Sequence, residues 1–443
     1  MLDITHQLHR DHLLAHTEHQ KLFLLLTLKP QAEARQARPQ LSVVFVVDTS
    51  GSMREKVTAP GEKQARNKMD LVIESLQGIL GAQLLTASDR VSLVQFDDDA
   101  SVVVPLTSSQ QRARLLAGVE RLDRHTGGTH MGAGMKLARE ALETQPGSLR
   151  LVVLTDGQTS DEKLVRSETR LLAAKQIPVT TVGVGDEVNT ELLLFITDQT
   201  QGKPIDVVPD TQNPQPPAVK ASDLPAALLG DLRQSISEVV TQVNLSVKTV
   251  KDVVLNRVTK VHPTQTEVQL QQGPMLLGNL SGPSGATFVL EFTLPARPPA
   301  RIRVAQLGFT YQVPGANFTG EVPPIDVVAE FTPNEEVAGR LKPQVMQFVQ
   351  QRNIEGMVSQ AIQEAASNPQ QALQSLQLAR EVTERLGNRT MTQALDRALQ
   401  EVAQNKTISL GTAKTLRIGS RTQTVQPKDV PLTDEEIRKI SGT

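Results

Sequence analysis

The stretch VVFVVDTSGS, residues 43–52, decides the fold of this chain. Val43 to Val47 is an unbroken run of β-branched and aromatic residues, which is typical of a strand buried on both faces in a parallel sheet. The run ends at the carboxylate of Asp48, and Ser50 and Ser52 follow at alternate positions. The glycine between the two serines permits a tight turn, so we expect the three oxygen-bearing side chains to converge at the carboxyl end of the strand.

Two later stretches carry further oxygen-bearing side chains for a metal site at the end of this strand. One carboxylate and two hydroxyls match the ligands that Mg²⁺ prefers, but they leave its octahedral shell incomplete. In TGGTHMGAGM, residues 126–135, two glycines form a flexible loop before a predicted helix, with Thr129 at the N-cap. The predicted strand Leu149–Leu154 ends in Thr-Asp-Gly. Asp156 is therefore expected beside Asp48, because neighbouring strand ends of an open α/β sheet meet in one crevice.

This set of motifs resembles the metal-ion-dependent adhesion site of the von Willebrand factor A family. The order Asp-x-Ser-x-Ser, Gly-Gly-Thr and a strand ending in Thr-Asp-Gly carries the resemblance, which covers residues 40–240. It implies a bound Mg²⁺, or Mn²⁺ or Ca²⁺, with the hydroxyls of Ser50, Ser52 and Thr129 as ligands. Asp48 and Asp156 are implied as carboxylates that bind the ion directly or through water. It also implies a partner-binding rim at Gly127, Gly128, His130 and Gly157.

The charge of such a site indicates what it binds. One or two carboxylates around a divalent cation leave a net positive charge, and the other ligands are neutral hydroxyls and water. An Asp or Glu of a partner protein can replace a water and complete the octahedron. We therefore expect an intracellular adaptor or scaffold that binds its partner through the metal, and not an enzyme.

The hydrophobic pattern divides the chain into segments. Residues 40–240 alternate strands and helices as a doubly wound, mostly parallel, Rossmann-like sheet requires. Residues 241–332 hold strand-like runs between Gly and Pro turns, which predicts a β-sandwich. Residues 1–38 are expected to add the strand Lys21–Lys29 to that sandwich, so that the α/β domain is an insertion in it. Similar pairings occur in bacterial and inter-α-inhibitor-like relatives of the family.

The last part of the chain changes period again. Apolar residues at helical spacing over residues 333–405 predict a small helical bundle with breaks at Pro369 and Gly387. Residues 406–443 are interpreted as a polar tail, with a docking or phosphorylation segment as the alternative. A short helix is predicted to start at Thr433. The fold class is thus multi-domain α/β.

Composition excludes several classes of protein. The chain has no cysteine, which rules out disulfides and thiolate metal sites. It has 46 basic and 48 acidic residues, a net charge of −2, and no interleaving of basic and aromatic residues, so we expect no nucleic-acid binding. No run reaches the roughly 18 apolar residues of a membrane span. The N-terminus also lacks the pattern of a signal peptide, so a cytoplasmic location is expected.

Two further groups of residues have metal-binding patterns. The first group consists of the N-terminal histidines His6, His9, His12 and His16. Their spacings of three and four would place them on one face of a helix, where they suggest a metal site, although a polar, mobile terminus is the simpler interpretation. Asp97 to Asp99 lie at the tip of a predicted hairpin and suggest a second cation site, although such tips are commonly polar and solvated.

Two other functions stay open from the sequence. A metal-dependent hydrolase would need a general base, for which His125 and His130 beside the glycine loop are the candidates. The chain has no glycine-rich phosphate loop with a lysine. A scaffold whose cation only stabilises the fold is the third possibility.

Overall fold

The computed structural model describes most of the chain, namely residues 1–32, 34, 38–57, 66–208, 216–282 and 284–426. The helix predicted from Thr433 lies outside these residues. No helix among them is long and apolar enough to span a membrane.

Strands are numbered along the chain. They are β1 (Leu2–Leu8), β2 (His12–Leu14), β3 (Gln20–Pro30), β4 (Leu41–Asp48), β5 (Arg90–Phe96), β6 (Ala100–Ser108), β7 (Ser148–Thr155), β8 (Val179–Val184), β9 (Lys203–Val208), β10 (Val219–Lys220), β11 (Glu238–Thr249), β12 (Val254–His262), β13 (Thr266–Glu267), β14 (Met275–Ser281), β15 (Ala286–Leu294), β16 (Ala300–Val313) and β17 (Phe318–Thr332).

Helices are numbered in the same way. They are α1 (Lys68–Gly81), α2 (Arg112–Arg121), α3 (Met131–Leu142), α4 (Glu162–Ala174), α5 (Thr190–Thr200), α6 (Leu224–Ile236), α7 (Glu335–Ala338), α8 (Pro343–Glu364), α9 (Pro369–Arg385), α10 (Arg389–Asn405) and α11 (Leu410–Thr422).

The α/β domain is built on a seven-stranded sheet in the order β10-β9-β8-β7-β4-β5-β6. Its strands are parallel except for the antiparallel hairpin of β5 and β6. The central strand β4 is buried along its whole length. Val43, Phe45 and Val47 pack against α1, α2 and α6, whereas Val44 and Val46 pack against α3, α4 and α5 on the other face. The predicted doubly wound architecture is confirmed.

A second unit consists of two five-stranded sheets, in the orders β1-β3-β15-β12-β13 and β14-β11-β16-β17-β2. Residues of both sheets share one apolar core, to which Leu26 and Phe288 contribute from the first sheet and Leu245 and Phe309 from the second. We call it the two-sheet unit. Strand β3 pairs with β15 along its length, so the chain leaves this unit after β3 and returns at β11. The predicted insertion of the α/β domain is therefore present in the structure.

The N-terminal histidines lie in this unit and not on a helix or in a mobile terminus. Strand β1 pairs with β3 over its whole length, and His12 lies in β2. His9 is fully buried, and its Nδ1 accepts a hydrogen bond from the Phe23 amide (3.1 Å). The expectation of a mobile terminus is wrong because alternate apolar side chains of this segment reach the shared core, as Leu2 and Leu8 do.

Burial of His9 should make stability depend on pH. Loss of solvation, and to a smaller extent the charge of Arg10, lowers the pKa of His9 from 6.5 to about 3. Between these values only the unfolded chain takes up the proton, so His9 should contribute a loss of stability of at most about 1.4 kcal/mol per pH unit as pH falls below 6.5. Its contribution should be constant above that pH.

Urea unfolding of wild type and His9→Gln between pH 5 and pH 8 tests this prediction. We expect the variant to lose part of the acid-side slope, whereas His16→Asn, which changes an exposed histidine, should keep it. Parallel pH profiles for wild type and His9→Gln would contradict the assignment.

The C-terminal residues extend further into folded structure than the sequence indicated. Helices α8, α9 and α10 form the predicted bundle core, with residues such as Val358, Leu376 and Leu395 at its centre. The expected polar tail after residue 405 is wrong for residues 410–422, which form α11. This helix contacts α8 and α10 and also β9 and α5 of the α/β domain. The sequence analysis also missed β14, whose short apolar run is flanked by Gly and Pro.

Candidate functional site

The site begins at the carboxyl end of β4, where Asp48 is fully buried. Its Oδ1 accepts a hydrogen bond from the Ser50 amide (2.9 Å) and its Oδ2 from the Thr155 hydroxyl (2.7 Å). Burial raises the pKa of Asp48 to about 6, although these hydrogen bonds favour the charged form. The central strand therefore ends in a carboxylate that is fixed by hydrogen bonds and largely ionised at neutral pH.

Three more oxygen-bearing side chains lie next to Asp48. The Ser50 and Ser52 hydroxyl oxygens are 3.1 Å apart, and the Ser52 hydroxyl donates to Asp156 Oδ1 (2.8 Å). Asp156 follows β7, which pairs in parallel with β4, and it is buried. The sequence prediction that two neighbouring strand ends bring these residues together agrees with this geometry.

Lys68, at the start of α1, is a member of the site that the sequence analysis missed. Its ammonium lies 2.6 Å from Asp156 Oδ2 and 2.6 Å from a carboxylate oxygen of Glu55. Its side chain is only 8% exposed. Burial alone would lower the pKa of Lys68, but the hydrogen bonds and charges of Asp156 and Glu55 outweigh burial and raise it. One positive charge is thus already built into the site.

The glycine loop is fixed by the acidic hairpin tip. Asp98 Oδ1 accepts a hydrogen bond from the Gly128 amide (2.9 Å). A side chain at Gly127 would meet Asp98, since an added Cβ would lie 2.6 Å from its Oδ2. The Gly127 carbonyl accepts from the Gly51 amide (3.2 Å), which ties this loop to the serine turn. Asp98 therefore positions the loop, which gives the tip a role other than a second cation site.

Thr129 follows this loop, one residue before the N-cap, which is His130. The Thr129 carbonyl accepts hydrogen bonds from the Ser160 amide (2.9 Å) and the Thr159 hydroxyl (3.1 Å). The predicted cap position is therefore displaced by one residue. Thr129 is nonetheless held beside the segment that follows Asp156.

Three of the five predicted ligands line a common cavity of ≈ 460 Å³. Its lining residues are Ser52, Lys68, Thr129, Asp156, Gly157, Gln158, Asp186, Glu187, Val188 and Leu410. Asp48 and Ser50 are buried and are not among them. Of the predicted rim residues only Gly157 lines the cavity, while Gly127, Gly128 and His130 do not. Leu410 comes from α11, so the C-terminal helices contribute to this cavity, which the sequence pattern did not indicate.

The donor set suits a hard cation. Two carboxylates and three hydroxyls supply only oxygen, as Mg²⁺, Mn²⁺ and Ca²⁺ prefer. No group of three or more His, Cys, Asp or Glu side chains that could hold a metal occurs among the residues described. Any metal here would therefore depend on the hydroxyls of Ser50, Ser52 and Thr129 as well as on the two aspartates. The residues present fit such an ion, with Lys68 as a neighbouring positive charge.

The candidate general bases lie outside this cavity. His125 Nδ1 is 4.0 Å from Asp97 Oδ2, and His130 Nδ1 is 3.2 Å from the Asp97 carbonyl oxygen. Neither histidine lines the cavity. Their contacts are with the hairpin tip, which supports a role in holding the loop.

Sequence comparison identifies the α/β domain. A family model for the von Willebrand factor type A domain matches residues 42–213, so the chain contains such a domain. The chain is 24% identical over 191 residues to the uncharacterized protein YfbK of Escherichia coli K12, covering 41% of this chain and 31% of that protein. It is 26% identical over 184 residues to the uncharacterized Synechocystis protein sll0103, covering 40% of each. The matches thus span less than half of these relatives.

Several solved structures share the fold over most of the chain. A von Willebrand factor type A protein from Catenulispora acidiphila superposes with a TM-score of 0.77 at 17% identity, covering 96% of this chain and 97% of that one. The ArnB paralog VWA2 from Sulfolobus acidocaldarius gives 0.57 at 13% identity, with 96% and 99% covered. The human COPII-coat protein Sec24c gives 0.52 at 12% identity, with 88% and 58% covered. These similarities establish the fold alone.

Proposed function

We propose that the von Willebrand factor type A domain makes this chain a protein-interaction module that binds an acidic side chain of a partner through a divalent cation. Domains of this family generally take part in protein–protein interaction. The observation that carries the metal-dependent proposal is the convergence of oxygen atoms from two strand ends at one cavity. The proposed ligands are Asp48, Ser50, Ser52, Thr129 and Asp156.

The site is acidic, so a divalent ion is what would allow it to bind an acidic ligand. Asp48 and Asp156 contribute two negative charges and Lys68 one positive charge, which leaves a net charge of −1 among the buried groups. The carboxylates of Glu55, beside Lys68, and of Asp186 and Glu187, in the cavity lining, make the site more negative. A divalent ion held by these residues would offset two of the negative charges and would bind one further oxygen ligand, such as a carboxylate from a partner protein.

Neighbouring side chains hold the proposed ligands in position. Hydrogen bonds from Ser50 and Thr155 hold Asp48 in place, so its carboxylate loses no conformational entropy when a ligand binds. Asp98 fixes the glycine loop that precedes Thr129. Mg²⁺ as the physiological ion and a cytoplasmic location stay predictions from the sequence, as do the hydrolase and structural-cation alternatives.

Affinity capture with the tagged full-length chain tests the proposal. We expect at least one partner protein to be retained by the wild type in excess Mg²⁺ and lost both in chelator and with Asp48→Asn. This substitution preserves the shape of the buried side chain while removing its charge. Direct titration with Mn²⁺, followed by electron paramagnetic resonance, should show one bound ion in the wild type and weakened binding in the variant.

The matched control is Asp123→Asn, which changes an exposed aspartate whose ion pair with Arg54 lies on the surface. It should retain both the ion and the partner. If the same partners stay bound in chelator and with Asp48→Asn, contacts elsewhere on the chain carry the interaction and the proposal is wrong.

A further inference from the structure

Leu410, the first residue of α11, stands out among the apolar side chains of the candidate site. It is 71% exposed, and it lines the same cavity as Ser52, Thr129 and Asp156. Single exposed leucines are common on protein surfaces. Leu410 differs because it lines a concave site together with three of the proposed metal ligands, Val188 and the acidic residues Asp186 and Glu187. The cavity lining therefore combines charged groups with two apolar side chains.

The N-terminal end of α11 is held firmly against the α/β domain. The Lys414 ammonium is buried and pairs with Asp206 (2.7 Å) at the end of β9. It also donates to the carbonyl oxygens of Val207 (3.2 Å) and Gly185. Ser409 caps the helix by accepting a hydrogen bond from the Thr412 amide (3.3 Å). Leu410 is thus presented on an anchored helix, which reduces the entropy lost when a ligand packs on it.

The backbone at Leu410 approaches the α/β domain closely. A Cβ added at Gly411 would lie 2.9 Å from Asp186 Oδ1, so a larger residue at this position would displace the Asp186 carboxylate. The helix can therefore reach the loop after β8, which carries Asp186, Glu187 and Val188. This close approach brings residues from two separate parts of the fold into one concave surface.

Resting on the proposed function, we propose that α11 is part of the partner-binding surface and that Leu410 selects a partner segment with an apolar side chain near its Asp or Glu. A divalent ion held by the proposed ligands would bind the carboxylate, while Leu410 and Val188 contact the apolar group. The volume of ≈ 460 Å³ lies within the range of about 300–1,000 Å³ that small-ligand pockets occupy. A short peptide segment with one acidic and one apolar side chain would match these two kinds of group.

Defined peptides test the inference with the full-length chain. The probes are fluorescent, amidated nonapeptides of Gly and Ser with a central Asp and one Leu placed at each of the other positions in turn. A peptide without Leu and a peptide with Asn in place of Asp complete the set. Fluorescence anisotropy in excess Mg²⁺ should show that one or two Leu positions bind about fivefold to tenfold more tightly than the peptide without Leu.

The variant Leu410→Gln should reduce that preference to less than about twofold, because one buried apolar contact is lost. Its affinity for the peptide without Leu and for Mn²⁺ should stay unchanged. The matched control is Leu378→Gln on α9, whose leucine is 56% exposed and does not line the cavity. This control should keep the preference.

The outcomes separate the inference from the proposed function. If Asp peptides bind in Mg²⁺ more tightly than the Asn peptide, but Leu has no effect or its effect survives in Leu410→Gln, the inference is overturned and the metal-dependent function stands. If Asp and Asn peptides bind equally weakly in Mg²⁺, the proposed function fails and the inference fails with it.

Discussion

Lys414→Ala should lower the free energy of unfolding by about 3–5 kcal/mol, because it leaves a buried carboxylate without its partner. The side chains of Lys414 and Asp206 are 1% and 2% exposed. Asp206 also accepts a hydrogen bond from the Thr415 hydroxyl (2.8 Å), but this neutral group does not balance its charge. The ammonium further satisfies carbonyl groups at the ends of β8 and β9, which would lose a donor.

Urea unfolding at pH 7 measures this loss. The exposed-lysine control Lys163→Ala should change stability by less than about 0.5 kcal/mol. The double variant Lys414→Met/Asp206→Asn should recover part of the loss, since replacing both charges of a buried pair is often nearly neutral. A loss below 1 kcal/mol for Lys414→Ala would contradict a buried, fully paired ammonium.

The same substitution has a local readout that bears on the binding surface. Lys414 is the buried ionic contact that joins the start of α11 to the α/β sheet. We expect the amides of α11 in Lys414→Ala to exchange with solvent faster than those of the neighbouring helix α10. Release of α11 would also remove Leu410 from the cavity, so the peptide preference for leucine should disappear together with this protection.

The central sheet and much of the candidate site could be predicted because local patterns specify them. The run Val43–Val47 can be buried on both faces only in the middle of a layered sheet, and it ends in Asp48. Since β4 and β7 are adjacent and parallel, the residues after them share one edge, and Asp156 therefore reaches Ser52. The hydrophobic pattern of the strands, and the rule that open α/β sheets bind ligands at the carboxyl ends of their strands, were sufficient to predict the central sheet and these residues of the site.

The missed parts depend on contacts between residues far apart in the sequence. A lysine in the first turn of a helix, such as Lys68, is normally solvated, and only the fold places it against Asp156. The stretch that contains Lys414 is polar, which predicts a tail, yet the Lys414 ammonium lies beside carbonyl groups more than 200 residues away in sequence. Neither residue carries a local signal, because burial of a charge is set by the partner that tertiary structure provides.

Lys68→Met should strengthen binding of a divalent cation by about tenfold or more. The Lys68 ammonium and an incoming cation compete for the charge of Asp156, and a single and a double positive charge about 5 Å apart repel by roughly 7 kcal/mol at an effective dielectric constant of 20. A tenfold change in affinity needs only about 1.4 kcal/mol. Removing the ammonium also leaves Asp156 without its ion-pair partner, which a cation can then replace.

Titration with Mn²⁺ of wild type, Lys68→Met and Lys56→Met measures this competition. Lys56 is an exposed lysine of the same segment, and its replacement should leave the affinity unchanged. Thermal stability should respond in parallel, since Lys68→Met should be less stable than wild type without metal and should gain more from added Mn²⁺. The double variant Lys68→Met/Asp156→Asn should lose the gain.

Equal or weaker Mn²⁺ binding by Lys68→Met would contradict the competition and would assign Lys68 the role of holding Asp156 in place.

Competition between Lys68 and the cation also affects how the partner binds. A cation that must share Asp156 with Lys68 binds less tightly than the two aspartates alone would allow, and a partner carboxylate then contributes more of the total binding energy. Metal and partner should accordingly bind cooperatively in the wild type, and this cooperativity should be smaller in Lys68→Met.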